Sequence, residues 1–394
     1  MSLLFNKRGL GDTNNELIPR RSNWQKYGSE FVTTESSLRM SGVWACLRLR
    51  SNLISSLPMK TYRDINGLPV EQIPTPFLRS PGGSDMTREE WISATQVDID
   101  RVGNAFGIIR VRDAYGFPAL VELVPYDQIH MTVSDGRIKE IRVGGKLVDK
   151  ADLWHEKGLT TPGNPVGLSP IYYAANSIGA YLSAQQFALD WFGSGAHPSG
   201  TLRNTVLAQL DPDVAQHAKD RFKSAVASRE IFVTGKDWEY SGEVVDAAQT
   251  AFLEEMNYGI ADIARFFDVP KDMIGVDSQG KGAITYANIT QRNLDFLVLH
   301  LGPAIKRRES ALSNALPRPR YVKFNTDALL RMDPAGVTAN LNAQVSGRLL
   351  APSEARGYLD RAPLTEAQMA EFDRLFGTAN AQSQPLTPIQ GEPA

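Results

Sequence analysis

The stretch SPIYYAANSIGAYLSAQQFALDWF, residues 169–192, decides the fold. Apolar or small residues recur at Ile171, Ala175, Ile178, Leu182, Leu189 and Phe192, with Gln185 as a break, a period of roughly 3.5 residues. The pattern predicts one helix over Ser169–Phe192, about 36 Å long at the usual rise per residue. Asp190 is its only charged residue. A helix so long and so nearly uncharged has no face suited to water, so it must be packed between neighbours.

Downstream comes a compact insert, from about Ser194 to Glu243. It reads as strand (SGTLRN), helix (DPDVAQHAKDRFKSAV), strand (REIFVTG) and strand (KDWEYSGE). Asp211 caps its helix and Pro212 takes the first helical position. A second long helix is predicted over Asp246–Asp268, with Phe252, Met256, Ile260, Ile263 and Phe267 as its stripe. Asp246, Glu254, Glu255, Asp262 and Asp268 against Arg265 give it a net charge of −4. Pro270 ends it. A polar, glycine-rich loop follows, Met273 to Ala283. A third helix runs over Thr285–Leu316, and Pro303 inside it should bend the axis by removing a backbone donor. After a strand (RYVKFNT), Asp333 to Leu375 reads as a set of shorter helices.

Upstream, Ser41–Leu57 reads as a helix stopped before Pro58, with Val43, Leu47, Ile54 and Leu57 on one face. Strand-like pieces follow: PMKTYRD, GNAFGIIRVRD, ALVELVPYDQIHMTV and RIKEIRVGG. Asn66-Gly67, Tyr115-Gly116 and Asp135-Gly136 mark turns. Ser84–Val102 reads as helical. This first part is α+β and rich in antiparallel strands. The opening residues read as a flexible arm, and TANAQSQPLTPIQGEPA (Thr378–Ala394) as disordered tail.

The 394 residues carry 42 basic and 44 acidic side chains, a formal net charge of −2. A protein that grips nucleic acid over its whole surface is normally basic, so any hold on DNA should be loose. Cys46 stands alone, which excludes an internal disulfide or a cysteine-based zinc site; it reads as a small buried side chain on a helix. No signal-peptide core opens the chain and no apolar run is long enough to span a membrane.

Several motifs invite a chemical reading. GVDSQGKG, Gly275–Gly282, nearly matches a phosphate-binding loop, but Gly282 stands where a magnesium-binding hydroxyl is needed, and a helix rather than a strand leads into it. The bland reading, a polar loop with Lys281 as a single charge near its tip, is preferred. The histidines have no metal-ligand spacing, so neither cofactor nor metal is expected. Asp98 and Asp100 diverge on a helix and read as solvated. Two modest basic clusters, Lys219, Arg221, Lys223 and Arg229, and Lys306, Arg307 and Arg308 with Arg318 and Arg320, each read first as a solvated helix face.

The order of segments resembles the portal proteins of the HK97-like family of tailed phages. The resemblance spans roughly residues 30 to 376. It is carried by SGVWACLRLRSNLISSLPMKTYR, GNAFGIIRVRDAYGFPALVELVPYDQI, LWHEKG with GLSPIYYAANSIGAYLSAQQFALDWFGSGAHPSGTLR, IARFFDVPKDMIG, TYANITQRNLDFLVLHLGPAIKRRE and LLAPSEARGYLDRAPL.

That resemblance implies an α+β portal fold. Its parts would be a flexible N-terminal arm (residues 1–28), a wing (29–168 and 285–333), a stem of two helices (169–193 and 246–270), an α/β clip (194–245), a tunnel loop (271–284), a helical crown (334–376) and a disordered tail (377–394). It implies a structural, non-enzymatic subunit of a homo-oligomeric ring, usually of twelve, at one vertex of the virion capsid, assembled in the host cytoplasm. Double-stranded DNA would pass through it in packaging and ejection, touched transiently by Ser278, Gln279 and Lys281. Glu254, Glu255 and Asp262 would line the stem. Lys219, Arg221, Lys223 and Arg229 on the clip would face the large terminase or a head-completion adaptor, with the major capsid protein as a further neighbour. Pro303 would kink the wing helix. Two alternatives stand beside this reading: a head-completion protein, although such adaptors are usually far shorter, and a nucleotide hydrolase using Gly275–Gly282. A general nucleic-acid-binding module fails on net charge.

Overall fold

The computed structural model describes residues 26–27, 30–134, 136–193, 200–206, 211–228, 238–242, 246–275, 286–326, 334–359 and 361–376. The chain divides into two compact units, Met1–Leu329 and Leu330–Ala394. The readings placed on most of the N-terminal arm, on the strand REIFVTG, on the loop around Lys281 and on the C-terminal tail lie outside the described residues.

The first unit opens with the short antiparallel pair β1 (Lys26–Tyr27) and β2 (Glu30–Phe31). Helix α1 (Thr34–Ser37) follows, its first turn closed by a reciprocal Thr33–Ser36 capping box. Helix α2 (Ser41–Ser55) buries Val43, Cys46, Leu47 and Ile54 on one side and stops short of Pro58, as its sequence requires. β3 (Met59–Ile65) and β4 (Leu68–Gln72) form a hairpin. Asn66 and Gly67 both have positive φ, 56° and 82°, the conformation that joins twisted antiparallel strands by two residues.

After α3 (Pro76–Arg79), helix α4 (Arg88–Val102) starts at a Thr87–Glu90 capping box and ends at Gly103, where φ is 77°. A side chain at Gly103 would have to sit 2.1 Å from the Leu168 carbonyl oxygen, so glycine is required there on two counts. Strands β5 (Asn104–Arg112), β6 (Pro118–Val124), β7 (Ile129–Ser134), β8 (Arg137–Val143), β9 (Lys146–Leu147) and β10 (Leu153–Lys157) build two three-stranded sheets, in the orders β10-β5-β6 and β7-β8-β9. Trp91 of α4 joins helix to sheet. Its ring meets Phe77 edge-on at 5.8 Å and Trp154 at 4.7 Å, and its N–H donates to the Val121 carbonyl at 3.2 Å. Phe106, Ile129, Met131, Ile141 and Val166 close a second core between the two sheets.

The decisive stretch is helical but not continuous. α5 (Pro170–Tyr173) ends at Ala174 and α6 (Ala175–Gly193) resumes at once. Ser169 caps α5 by accepting from the Tyr172 amide, with Pro170 at its first position, and the break that the apolar period did not show falls at Ala174, where ψ is 0°. β11 (Gly200–Asn204), α7 (Pro212–Ser228) and β12 (Trp238–Gly242) make the described part of the insert, with β11 and β12 paired antiparallel.

α8 (Asp246–Phe266) is the second long helix. The third is α9 (Tyr286–Asp295), a π-helical turn over Phe296–Leu301, and α10 (Gly302–Asn314). The Gly302 amide donates to Leu297, five residues back. The irregularity therefore sits just ahead of Pro303, whose missing N–H leaves a carbonyl one turn earlier without its usual donor. β13 (Arg320–Phe324) then returns to pair with β3, completing the sheet β13-β3-β4. The second unit contains α11 (Pro334–Ser346), α12 (Pro352–Tyr358) and α13 (Glu366–Phe376).

Two expectations are corrected. Asp100 is not solvated: it is buried and paired with Arg50 of α2 at 3.1 Å, with Gln96 donating to the same oxygen at 3.0 Å. Arg308 is not on a solvated face: it is buried and paired with Glu156 of β10. Both ion pairs lie where secondary elements cross, α2 on α4 and α10 on the β10 edge. A charge there is tolerated because its partner is built in.

Candidate functional site

Helices α6 and α8 pack side by side. Ser177 donates to Asp262 at 2.6 Å, and Tyr181 lies against Gly259, where an added side chain would come within 3.3 Å of its ring. The numbers rise on one helix as they fall on the other, so the pair is antiparallel. At 19 and 21 residues the helices are about 28 and 31 Å long. Gly42 of α2 faces Ile260, where an added Cβ would lie 3.0 Å from its side chain, which seats one end of the pair on the first unit's core.

Several large apolar side chains of this pair remain exposed. Leu189 is 62% exposed, Tyr258 58% and Phe266 39%. Tyr172 and Tyr173, at the start of the first helix, and Val298 and Leu299, in the π-helical turn, are also open to solvent. Large apolar side chains left exposed on several neighbouring elements are a common sign of an association surface.

The residues singled out in sequence distribute unevenly. Asp262 is held in the seam, accepting from Ser177 and from Arg265, the latter at 3.2 Å. Its charge is thus partly answered within the chain. Glu254 and Glu255 lie on α8, and their side chains fall outside what is described. On α7, Lys219 and Arg221 are exposed. Positions 219 and 223 stand one turn apart, while 221 is on roughly the opposite side of the helix, so Lys219 and Arg221 do not share one face. Arg229, Ser278, Gln279 and Lys281 lie outside the described residues.

Described residues flank the glycine-rich loop on both sides. A 3-10 turn, Lys271–Ile274, leads into it, closed by Gly275 with φ 79°. Among the described residues no β-strand leads into it, whereas a phosphate-binding loop needs one. Arg292 of α9 forms an ion pair with Asp272. His300 Nδ1 lies 2.6 Å from the Asp268 carboxylate, and Asp268 itself adopts φ 55°. These two contacts pin the end of α8 and the turn after it to the third helix. Sequence reasoning missed both, because nothing in local spacing joins residues so far apart.

Groups that could carry chemistry are otherwise spent on structure. Cys46 is fully buried, and burial pushes its thiol up to about 12, with Arg50 opposing. Burial holds His155 down to about 3; its Nε2 lies 2.9 Å from Asn104 Oδ1 and its ring stacks on Phe106. Among the described residues no cluster of His, Cys, Asp or Glu could hold a metal ion, and no helix is long and apolar enough to cross a membrane.

Residues 41–360 match the family described as phage portal protein. The chain belongs to that family. Among curated portal proteins, it is 27% identical to the probable portal protein of Streptomyces phage phiC31 over 366 residues, covering 86% of this chain and 78% of that one. It is 25% identical to the portal protein of Enterobacteria phage HK97 over 369 residues, covering 87% and 84%. Its fold is shared with an HK97 family phage portal protein from Corynebacterium diphtheriae, at TM-score 0.60 and 20% identity over 77% of this chain and 98% of that one. It is also shared with a chain of the neck of a native gene transfer agent particle, computed with C12 symmetry, at TM-score 0.54 and 20% identity over 86% and 95%. The portal family is structural, and the buried ion pairs and exposed helix face of this portal chain fit a role in assembly.

Proposed function

We propose that this portal chain is one subunit of a closed homo-oligomeric ring, of twelve copies in the virion, at a single capsid vertex. The α6–α8 pair forms the stem, with its exposed apolar side chains against the next copy. The observation that carries this reading is that Leu189, Tyr258 and Phe266 are left in water by one chain although they lie on the longest helices of a family-matched fold. A face that meets a different face of the next copy generates a ring when the rotation closes. The C12 symmetry of the related neck particle supports the same arrangement.

DNA slides through such a ring without being gripped, since each neutralised phosphate adds salt-sensitive affinity. A net charge of −2 and the acidic α8 suit a conduit, with Glu254, Glu255 and Asp262 on its wall. Ser278, Gln279 and Lys281 would touch passing DNA. The insert, with Lys219, Arg221, Lys223 and Arg229, would dock the large terminase and later a head-completion protein, whose acidic surfaces it would steer. The energy for packaging comes from that motor; this subunit performs no catalysis. It assembles in the host cytoplasm and contacts the major capsid protein. Lys281→Glu should alter DNA packaging or retention in full heads. Unchanged packaging and unchanged full-head stability in that variant would remove the loop from the account.

A further inference from the structure

A cleft of about 560 Å³ lies where the start of α5 and the end of α8 meet the core of the first unit. The α2–α4 crossing, the end of β10 and the first turns of α10 complete its walls. Leu159, Tyr173 and Phe266 line it and are exposed, so they stand at its mouth.

Most charges in the cleft are already answered within the chain. Asp100 is taken by Arg50, Glu156 by Arg308 and Arg265 by Asp262. Asp268 lies against His300. Lys157 and Arg307 line the same cleft and have no ion-pair partner among the described residues. Lys157 is half-buried. Burial disfavours the charged form of each; Lys150 adds to this at Lys157, and Arg50 at Arg307. Asp100, Asp268 and Glu156 pull the other way at Arg307 without offsetting it. Two cations held partly out of water with no counter-charge of their own are unfavourable in one chain alone. A carboxylate entering the cleft reverses that.

The mouth narrows the choice of occupant. A free anion would answer the cations and leave Leu159, Tyr173 and Phe266 in water, and so would a DNA phosphate. An acidic side chain flanked by apolar ones on a protein surface answers the cations and covers the mouth together. Tyr173 and Phe266 already belong to the exposed apolar set described above, and Phe266 to the part placed against the next copy. Copies in a closed ring of this kind meet by unlike faces. Each copy can therefore offer the cleft on one side and a carboxylate on the other.

Given the ring reading above, on which this rests, we infer that the cleft is a socket between copies. It takes an acidic side chain of the adjacent subunit, whose carboxylate sits within reach of Lys157 and Arg307 while apolar neighbours of that side chain cover Leu159, Tyr173 and Phe266. Charge pairs at an interface fix register and reject wrong partners more than they add affinity. The socket would thus set the angle at which one copy meets the next.

The test uses the full-length protein, a carbodiimide that joins amines to carboxylates in contact, and native mass spectrometry. Lightly treated parent rings should yield covalent dimers whose digest joins the Lys157 peptide to an acidic peptide of another copy. Lys157→Arg keeps the charge but lacks the amine, so its rings should persist while the dimer band weakens. Arg307→Glu changes an exposed residue. It should need at least about tenfold more protein to close rings at low salt, because like charges then face each other. The gap from the parent should narrow as sodium chloride is raised. Parent dimers without a Lys157 link, a Lys157→Arg dimer band as strong as the parent's, or Arg307→Glu rings that form as readily as the parent's would each overturn the socket and leave the ring reading standing. A gap that salt does not change would reduce Arg307 to packing and overturn the charged contact. A parent that closes no rings at all would overturn both.

Discussion

Arg308 and Glu156 form an ion pair at 3.1 Å with side chains only 1% and 2% exposed. Arg308 also donates to the Ile92 carbonyl at 3.0 Å and to Thr95 at 2.8 Å. One guanidinium thus ties α10 to β10 and to α4. Burial raises the pKa of Glu156, and Arg308 is the main group opposing that rise. Arg308→Ala would leave a carboxyl buried with no cation, at a cost of roughly 3–5 kcal/mol. Urea unfolding should show the loss, and the double replacement Arg308→Met with Glu156→Leu should recover much of it. A single variant as stable as the parent would contradict the assignment.

Asp98 predicts a pH dependence. Its side chain is 27% exposed and lies 3.7 Å from Arg101. Burial raises its carboxyl to about 6, with Arg101 opposing and Asp127 adding to the rise. The unfolded chain releases this proton near 4, so between about 4 and 6 the folded state holds one proton more, and stability from this group falls as pH rises. Asp98→Asn removes that dependence. Relative to the parent it should gain on the order of 1–3 kcal/mol between pH 4 and pH 7. Thermal unfolding of both proteins across that range tests the sign.

Gly103 predicts a backbone effect. Its φ is 77°, and an added carbon would lie 2.1 Å from the Leu168 carbonyl oxygen. Gly103→Ala should destabilise by roughly 2–4 kcal/mol. The chain must then move where β5 meets the segment entering α5. A melting temperature within a degree of the parent would show that the close approach is not required.

Much of this architecture is legible in the sequence, for reasons that also explain what is not. The periods of α2 and α8 and of the first half of α6 record which faces are buried, while Leu189 continues the α6 period and is exposed; Asn66-Gly67 records a turn that other residues would resist. β10 is hidden because LWHEK carries His, Glu and Lys; its alternation becomes visible only when Glu156 is known to be neutralised by Arg308. Asp100 looks solvated for the same reason, since its partner Arg50 is on another helix. Pro303 signals an irregular helix, but the adjustment is taken by the π-helical turn before it. Of the functional surface, the lack of charge on α6 was readable, whereas the contacts of Asp268 with His300 and of Asp272 with Arg292 depend on the folded chain.

The account rests on the exposed apolar side chains of α6 and α8 meeting another copy of the chain. Native mass spectrometry of the purified full-length protein, compared with Tyr258→Arg and Leu189→Arg, tests this most directly. Closed rings are expected for the parent, with both variants shifted to monomers or short open oligomers while circular dichroism is unchanged. A parent that stays monomeric at high concentration, or rings that both variants form as readily as the parent, would contradict it.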